Sequence, residues 1–415
     1  MAECPVRIEN RAQLIYVLSE ACELEHGLSC CYQFAAFSLK TETGQGVNEQ
    51  QLEAVGRWKR TILDVAIEEM FHLGLASNLL TAIGGAPHFR RPNFPTSPRM
   101  YPPSFQLTLT PFSEETVSRF VFVERPEAMT PGGNAPRYQH HPLDRPFDIF
   151  PGSQVFETVG HLYRAVEDGL RYLADKHGQQ GLFLGADAQT TVYRIAPVVD
   201  LASAIHAIEG IVEQGEGARG DIANAHYGRF SRVLEEYRSL KSADPSFEPA
   251  HPVVPNPYSR VPGDVHPSAE VSIIDAPMSA ALCNLFDGCY DMLVLLLARM
   301  FSHSGESDAE HATLAEVSRR LMARVLRPLG ELVMTLPAGP SHPGKTAGPG
   351  FHILRSTHAL PHKGAAWALF SERLRELWGY SGLLETYSDA PPALEPITRA
   401  IGELFPMMSQ GAPSR

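Results

Sequence analysis

No block of lysine or arginine occurs in this sequence, and its 35 basic residues are outnumbered by 47 acidic ones, for a formal net charge of −12. A chain of that sign lacks the field that gathers nucleic acid or an anionic membrane surface, so neither is expected as a partner. Long apolar runs are missing too. The longest aliphatic stretch, LVLLLA at 293–298, falls far short of the ~20 residues a membrane span needs. The opening MAECPVRIEN has acidic residues and no apolar leader core, which sets the expectation of a cytoplasmic protein. Cysteine is sparse: six residues, at 4, 22, 30, 31, 283 and 289, with no Cys-x-x-Cys pair. That spacing makes no disulfide framework, and the thiols are expected to be reduced and structural. No nucleophile elbow, phosphate-binding loop, dinucleotide fingerprint or zinc-type cluster occurs in the setting it requires.

What is present is enough apolar residue to build a core: 44% of 415 residues are hydrophobic and 20% charged. Helical periodicity runs over 11–40, 50–83, 154–176, 198–215 and 226–240, then over 275–303, 309–336, 363–380 and 393–405. Between them, FQLTLT at 105–110 and FVFVE at 120–124 alternate like short strands. The irregular segment 125–153 and the glycine- and proline-rich 336–351 are long enough to be lids, with structural loops the default. A proline-rich connector begins at 243. The expected fold is mainly α: a bundle over 10–242, a connector over 243–272, and an additional helical layer over 273–405, with a small β excursion.

The stretch AIEEMFHLGL carries Glu69 and His72 at i, i+3, on the face of Ile62, Val65, Ala76 and Leu80. A carboxylate and an imidazole so spaced can reach one ion, and an apolar stripe is a costly place for unpaired charge. Glu68 shares its face with Thr61 and Asp64, which reads as solvent-facing or as support behind the ligands. On the preceding helix Glu25 falls in the stripe of Leu18, Ala21, Leu28 and Tyr32, whereas Glu23 lies with Glu20 and His26 in a solvent pattern. A buried carboxylate on one helix and Glu-x-x-His on the next make half of a dinuclear carboxylate site in a four-helix bundle.

The other half is less distinct. His206, Glu209, Glu213 and Glu216 recur at i, i+3, i+7 and i+10 opposite or beside the arc of Leu201, Ile205, Ile208 and Val212. A solvated acidic face and a metal-facing surface both fit. His226 lies in line with Phe230, Val233 and Tyr237, as a ligand or as a core or capping histidine. His161 keeps company with Glu157, Arg164 and Asp168, the pattern of a solvated face, though a ligand role is open. Nothing in the pattern assigns His140 and His141.

The strings ELEHGLSCCYQFAAFSLK, AIEEMFHLGLASNLLTAIGGAP, DLASAIHAIEGIVEQGEG, HYGRF and RPLGELVMTLPAGPSHPGKTAGPGF, spread over about residues 10–355, together resemble the ferritin-like domain family of iminophenyl-pyruvate dimer synthase. That family includes large iron-containing enzymes of violacein and rebeccamycin biosynthesis, which join two oxidised amino-acid-derived imines. The resemblance implies a ferritin-like four-helix bundle and makes Glu25, Glu69 and His72 ligands. It adds Glu213 and His226; His161, Glu209, Glu216 and His206 stay, on the residue pattern, as further ligands or supports. His161 stands where similar sequences often carry glutamate, which leaves one or two ions open. The implied cofactor is iron, with manganese possible and O2 as co-substrate. The implied activity is oxidation or imine coupling of a small amino-acid-derived molecule. Tyr32, on the same stripe as Glu25, reads either as a proton or hydrogen-bond donor in the pocket or as core packing. The alternative is a non-catalytic metal-binding or scaffold subunit. A homodimer or a biosynthetic partner enzyme completes the expected partners.

Overall fold

A computed structural model describes residues 8–96, 106–126, 156, 158–216, 221–259, 270–354 and 360–411. Two long helices form its spine. α1 (Arg11–Ser38) starts where the Asn10 side chain accepts from the backbone of Gln13. α2 (Glu49–Ala82) starts with a reciprocal capping box between Asn48 and Gln51. It ends at Gly84, whose φ of +87° suits a residue without Cβ. α1 and α2 make the most extensive helix pair in the fold. Beside them lie α3 (Glu114–Val123), α4 (Val159–His177), the single turn α5 (Gln179–Leu182), α6 (Leu201–Glu216) and α7 (His226–Ala243). α3 packs on α7, α4 packs on α6, and both α4 and α7 reach back to the α1–α2 pair.

The second half contributes α8 (Pro277–Met300), α9 (Asp308–Arg320), α10 (Arg327–Val333), α11 (Lys363–Glu385) and α12 (Leu394–Gln410). Where one helix is expected over 309–336, a π-helical stretch at Leu321–Leu326 separates α9 from α10, just ahead of Pro328. Proline has no N–H to return to the preceding turn, and a widened turn absorbs that loss. α10 packs on α1, and buried apolar side chains from Ile8 to Met408 join in one core. α8 is long and apolar enough to cross a membrane by length and composition, but 78% of its most apolar window is buried inside the fold, as in a core helix.

The β excursion exists but not where alternation placed it. β1 (Pro257–Tyr258) and β2 (Ser272–Ile273) pair in parallel, while Leu107 makes only an isolated bridge to Thr96. FVFVE is not a strand: it closes α3. Ser113 caps that helix, Glu114 and Glu115 fill its first turn, and Val117, Phe120 and Val123 are buried at helical spacing. The aromatic and β-branched residues mimicked alternation, and the cap decided the outcome.

The 336–351 loop is pinned rather than poised. Asp275 accepts from the backbone and hydroxyl of Ser341, and Ala338 and Ala347 are buried. At Gly339, φ +123°, a Cβ would stand 2.4 Å from the backbone nitrogen of Ala276. The expected lid at 125–153 lies outside the described residues beyond 126, as do His140 and His141.

Candidate metal centre

Five side chains from four segments converge between α1, α2, α3 and α7. Glu25 comes from α1, Glu69 and His72 from α2, Glu124 from the C-terminal end of α3, and His226 from the first residue of α7. None is more than 4% exposed. Their ligand atoms form two groups that share one member: Glu25, Glu69 and His72, and Glu69, Glu124 and His226.

The shared carboxylate faces both imidazoles. Glu69 Oε1 lies 2.8 Å from His226 Nδ1, and Glu69 Oε2 lies 3.3 Å from His72 Nδ1. Glu25 Oε2 completes the first group at 3.8 Å from His72 Nδ1, and Glu124 Oε2 the second at 3.4 Å from His226 Nδ1. Each outer carboxylate is held from behind by a tyrosine. Tyr163 on α4 donates to Glu25 Oε1 at 2.7 Å, and Tyr32 on α1 donates to Glu124 Oε1. Each imidazole is held through its far nitrogen: His72 Nε2 donates to Gln214 Oε1 at 2.8 Å, and His226 Nε2 donates to Glu68 Oε2 at 2.9 Å. Both Nδ1 atoms therefore point inward.

The electrostatics follow from three carboxylates shut away from water. Burial, then the neighbouring Glu69, pushes Glu25 up to about 8 and raises Glu124. Burial also works against Glu69, but His226 and His72 overcome it and hold that carboxyl well below its usual range. Burial would neutralise His72, yet Glu69 and Glu25 lift it to about 10; His226 is lifted in the same way by Glu69 and Glu124. Without a metal, protons on the two imidazoles supply countercharge to these carboxylates. With one, the same atoms are donors.

The donor set fits such an ion. His226 Nδ1 is fully buried and makes no hydrogen bond of acceptable geometry, although two carboxylate oxygens lie nearby. An inward nitrogen so placed is suited to a shared ion rather than to a direct bond. Carboxylate oxygens with imidazole nitrogens suit iron or manganese. The five described cysteines are buried free thiols, and neither group includes one.

Of the residues expected from sequence, Glu25, Glu69, His72 and His226 meet at this centre, and Tyr32 stands directly behind it. Glu68 is the support behind His226, also paired with Arg229. Glu213 is half-buried on α6 and belongs to neither group; His206 and Glu209 are exposed, and the side chain of Glu216 lies outside the described residues. α6 instead brings Gln214 to His72, and Gly215 close to Glu124. His161 sits at the start of α4, partly buried and edge-on to Phe156; Tyr163, two residues on, is the α4 side chain that reaches the centre. Glu124, Tyr163 and Gln214 were not anticipated. The solvent reading of His26 is corrected as well: it is buried and hydrogen-bonded to Tyr290 of α8.

A ferritin-like family profile matches residues 18–235, more than half of the chain and the region that carries all five side chains. The chain belongs to the ferritin-like family. It is 28% identical over 411 residues to dichlorochromopyrrolate synthase of Lentzea aerocolonigenes, an alignment covering 89% of this chain and 39% of that protein. It is 27% identical over 404 residues to 2-imino-3-(indol-3-yl)propanoate dimerase of Chromobacterium violaceum, covering 92% and 38% respectively. The chain thus spans about two-fifths of the length of these biosynthetic enzymes. A crystallised ferritin-like protein from Caulobacter vibrioides superposes over 76% of this chain with a TM-score of 0.48 and 20% identity.

Proposed function

We propose that this chain is a non-haem dinuclear iron enzyme of specialised metabolism, with manganese as the alternative metal, acting on a small amino-acid-derived imine. The observation that carries this reading is the sharing of Glu69 by two buried ligand groups, each completed by one more carboxylate and one imidazole. Glu25, Glu69, Glu124, His72 and His226 would hold the metal. Bound there, it would supply Lewis-acid polarisation or access to O2 as an oxidant.

The chain's own contributions are separable from that chemistry. Tyr163 and Tyr32 hold the outer carboxylates, and Gln214 and Glu68 orient the imidazoles. Similarity to a synthase and an imine dimerase supports coupling as the reaction class. Joining two such units through a new carbon–carbon bond removes two electrons and two protons, so an acceptor such as O2 is the expected co-substrate.

The test pairs metal content with turnover. Protein reconstituted anaerobically with Fe(II) is analysed for iron, then given O2 and 2-imino-3-(indol-3-yl)propanoate made in place from tryptophan and an amino-acid oxidase. About two iron per chain, lost in Glu69→Ala, with a metal-dependent product of twice the substrate mass less two hydrogens, supports the reading. Metal retained without turnover favours the alternative, a non-catalytic metal-binding subunit of a biosynthetic complex. No metal retained leaves a scaffold.

A further inference from the structure

The two halves of the centre differ in what stands behind each imidazole. Behind His226 is a carboxylate, Glu68, braced on its other side by the Arg229 guanidinium. Behind His72 is a neutral amide, Gln214. A carboxylate fixes the ring and also makes it a stronger donor to a metal, whereas an amide fixes the ring without adding charge. The surroundings differ in the same sense. Glu68 precedes the shared Glu69 on α2, and Arg229 follows His226 by three residues on α7, so this support is built into the helices that carry the ligands. Gln214 is an exposed residue of α6, a helix that carries none of the five ligand side chains.

Given that the centre holds metal as proposed above, we infer that its two positions are unequal. The position between Glu124 and His226 fills first and holds its ion tightly; the position between Glu25 and His72 fills second and exchanges. Glu68 and Gln214 are the positioning residues that set this order, although neither belongs to the ligand groups.

Stepwise Co(II) titration of the metal-stripped full chain, followed by calorimetry and visible absorption, reads both positions without turnover. Wild type is expected to bind in two steps at least about tenfold apart. Glu68→Gln is expected to weaken the first step by about 10–100-fold and to leave the second, as loss of a group behind a ligand does elsewhere. Gln214→Glu is expected to strengthen the second step, a gain that a merely structural role would not produce; it stands on a different helix, so it decides the matter even if Glu68→Gln folds poorly. Two equal steps in wild type, or a Glu68→Gln effect on the second step alone, overturn the inference while the metal centre stands. A single bound ion supports it if Glu124→Ala removes that ion and Glu25→Ala does not; the reverse overturns it. No bound cobalt at all overturns the centre itself, and the inference with it.

Discussion

The imidazoles of His72 and His226 lie nearly face to face, with ring centroids 5.4 Å apart and planes 25° from parallel. They come from different helices, both turn Nδ1 toward Glu69, and both are almost wholly buried. Two imidazoles in that arrangement repel one another when protonated, and only the carboxylates around them make the state tolerable. An arrangement that is awkward for protons and apt for cations is the physical basis of the predictions below.

Glu69 is the side chain both groups share, so its loss is expected to be disproportionate. Glu69→Ala should abolish binding of both ions, whereas Glu25→Ala and Glu124→Ala should each retain about half of the wild-type metal. Elemental analysis of the purified variants after identical reconstitution checks this. Equal losses in all three would show that the centre does not divide as its geometry suggests.

The pH dependence of the metal-free protein has a definite sign. His72 moves from its ordinary 6.5 up to about 10, so its contribution is complete below 6.5 and is lost as pH rises toward 10. Glu25, raised from 4.5 to about 8, acts in the same direction: the fold favours its protonated form, and stability falls as pH rises from 4.5 toward 8. A single group within its window changes stability by up to about 1.4 kcal/mol per pH unit. Thermal melts in a chelating buffer should therefore show Tm falling from pH 6.5 to 9.5. Metal displaces these protons, so a loaded sample should lose much less over the same range.

The tyrosines behind the outer carboxylates should be detectable as a matched pair. Tyr163→Phe removes a 2.7 Å hydrogen bond to Glu25, and Tyr32→Phe removes the corresponding bond to Glu124. Hydrogen bonds to ionised groups contribute about 1.5–3 kcal/mol and neutral ones about 0.5–1.5. The loss should thus be larger in the metal-loaded protein, where both carboxylates are ionised, than in the metal-free protein at pH 6, where Glu25 is protonated. Denaturant titrations of both forms measure the difference.

How much of this centre could be read in advance depends on how unusual each residue was in its local setting. Glu25 and the Glu69–His72 pair stood out because a carboxylate in an apolar helical stripe is an anomaly with few explanations. His226 was visible for the same reason, although its role stayed open between ligand and core. Glu124 was hidden by the alternation of FVFVE, even though Ser113 and the two glutamates after it mark a helix start. Gln214 is a neutral amide among acids and gives no signal; its importance arises only when α6 reaches His72. The burial of His26 gives no such signal, because Tyr290, which bonds it, lies over 250 positions away in the chain. A long-range contact of that kind leaves no trace in the periodicity of α1.

Gly228 provides a test of how firmly the start of α7 is placed. It lies two residues after His226, and a Cβ there would stand 2.1 Å from the carbonyl oxygen of Ile222 and 2.6 Å from that of Ala223. Those obstacles are backbone atoms, so no side chain can swing aside. Gly228→Ala must displace either the preceding turn or the first turn of α7, at a cost of about 1–3 kcal/mol for overpacking. Because His226 is the first residue of α7, the displacement should fall on the Glu124–His226 position and spare the Glu25–His72 one. Metal analysis of the folded variant should show one ion lost and the other kept, with a lower Tm by thermal melt. Retention of both ions at wild-type affinity would mean that the start of α7 adapts without moving His226.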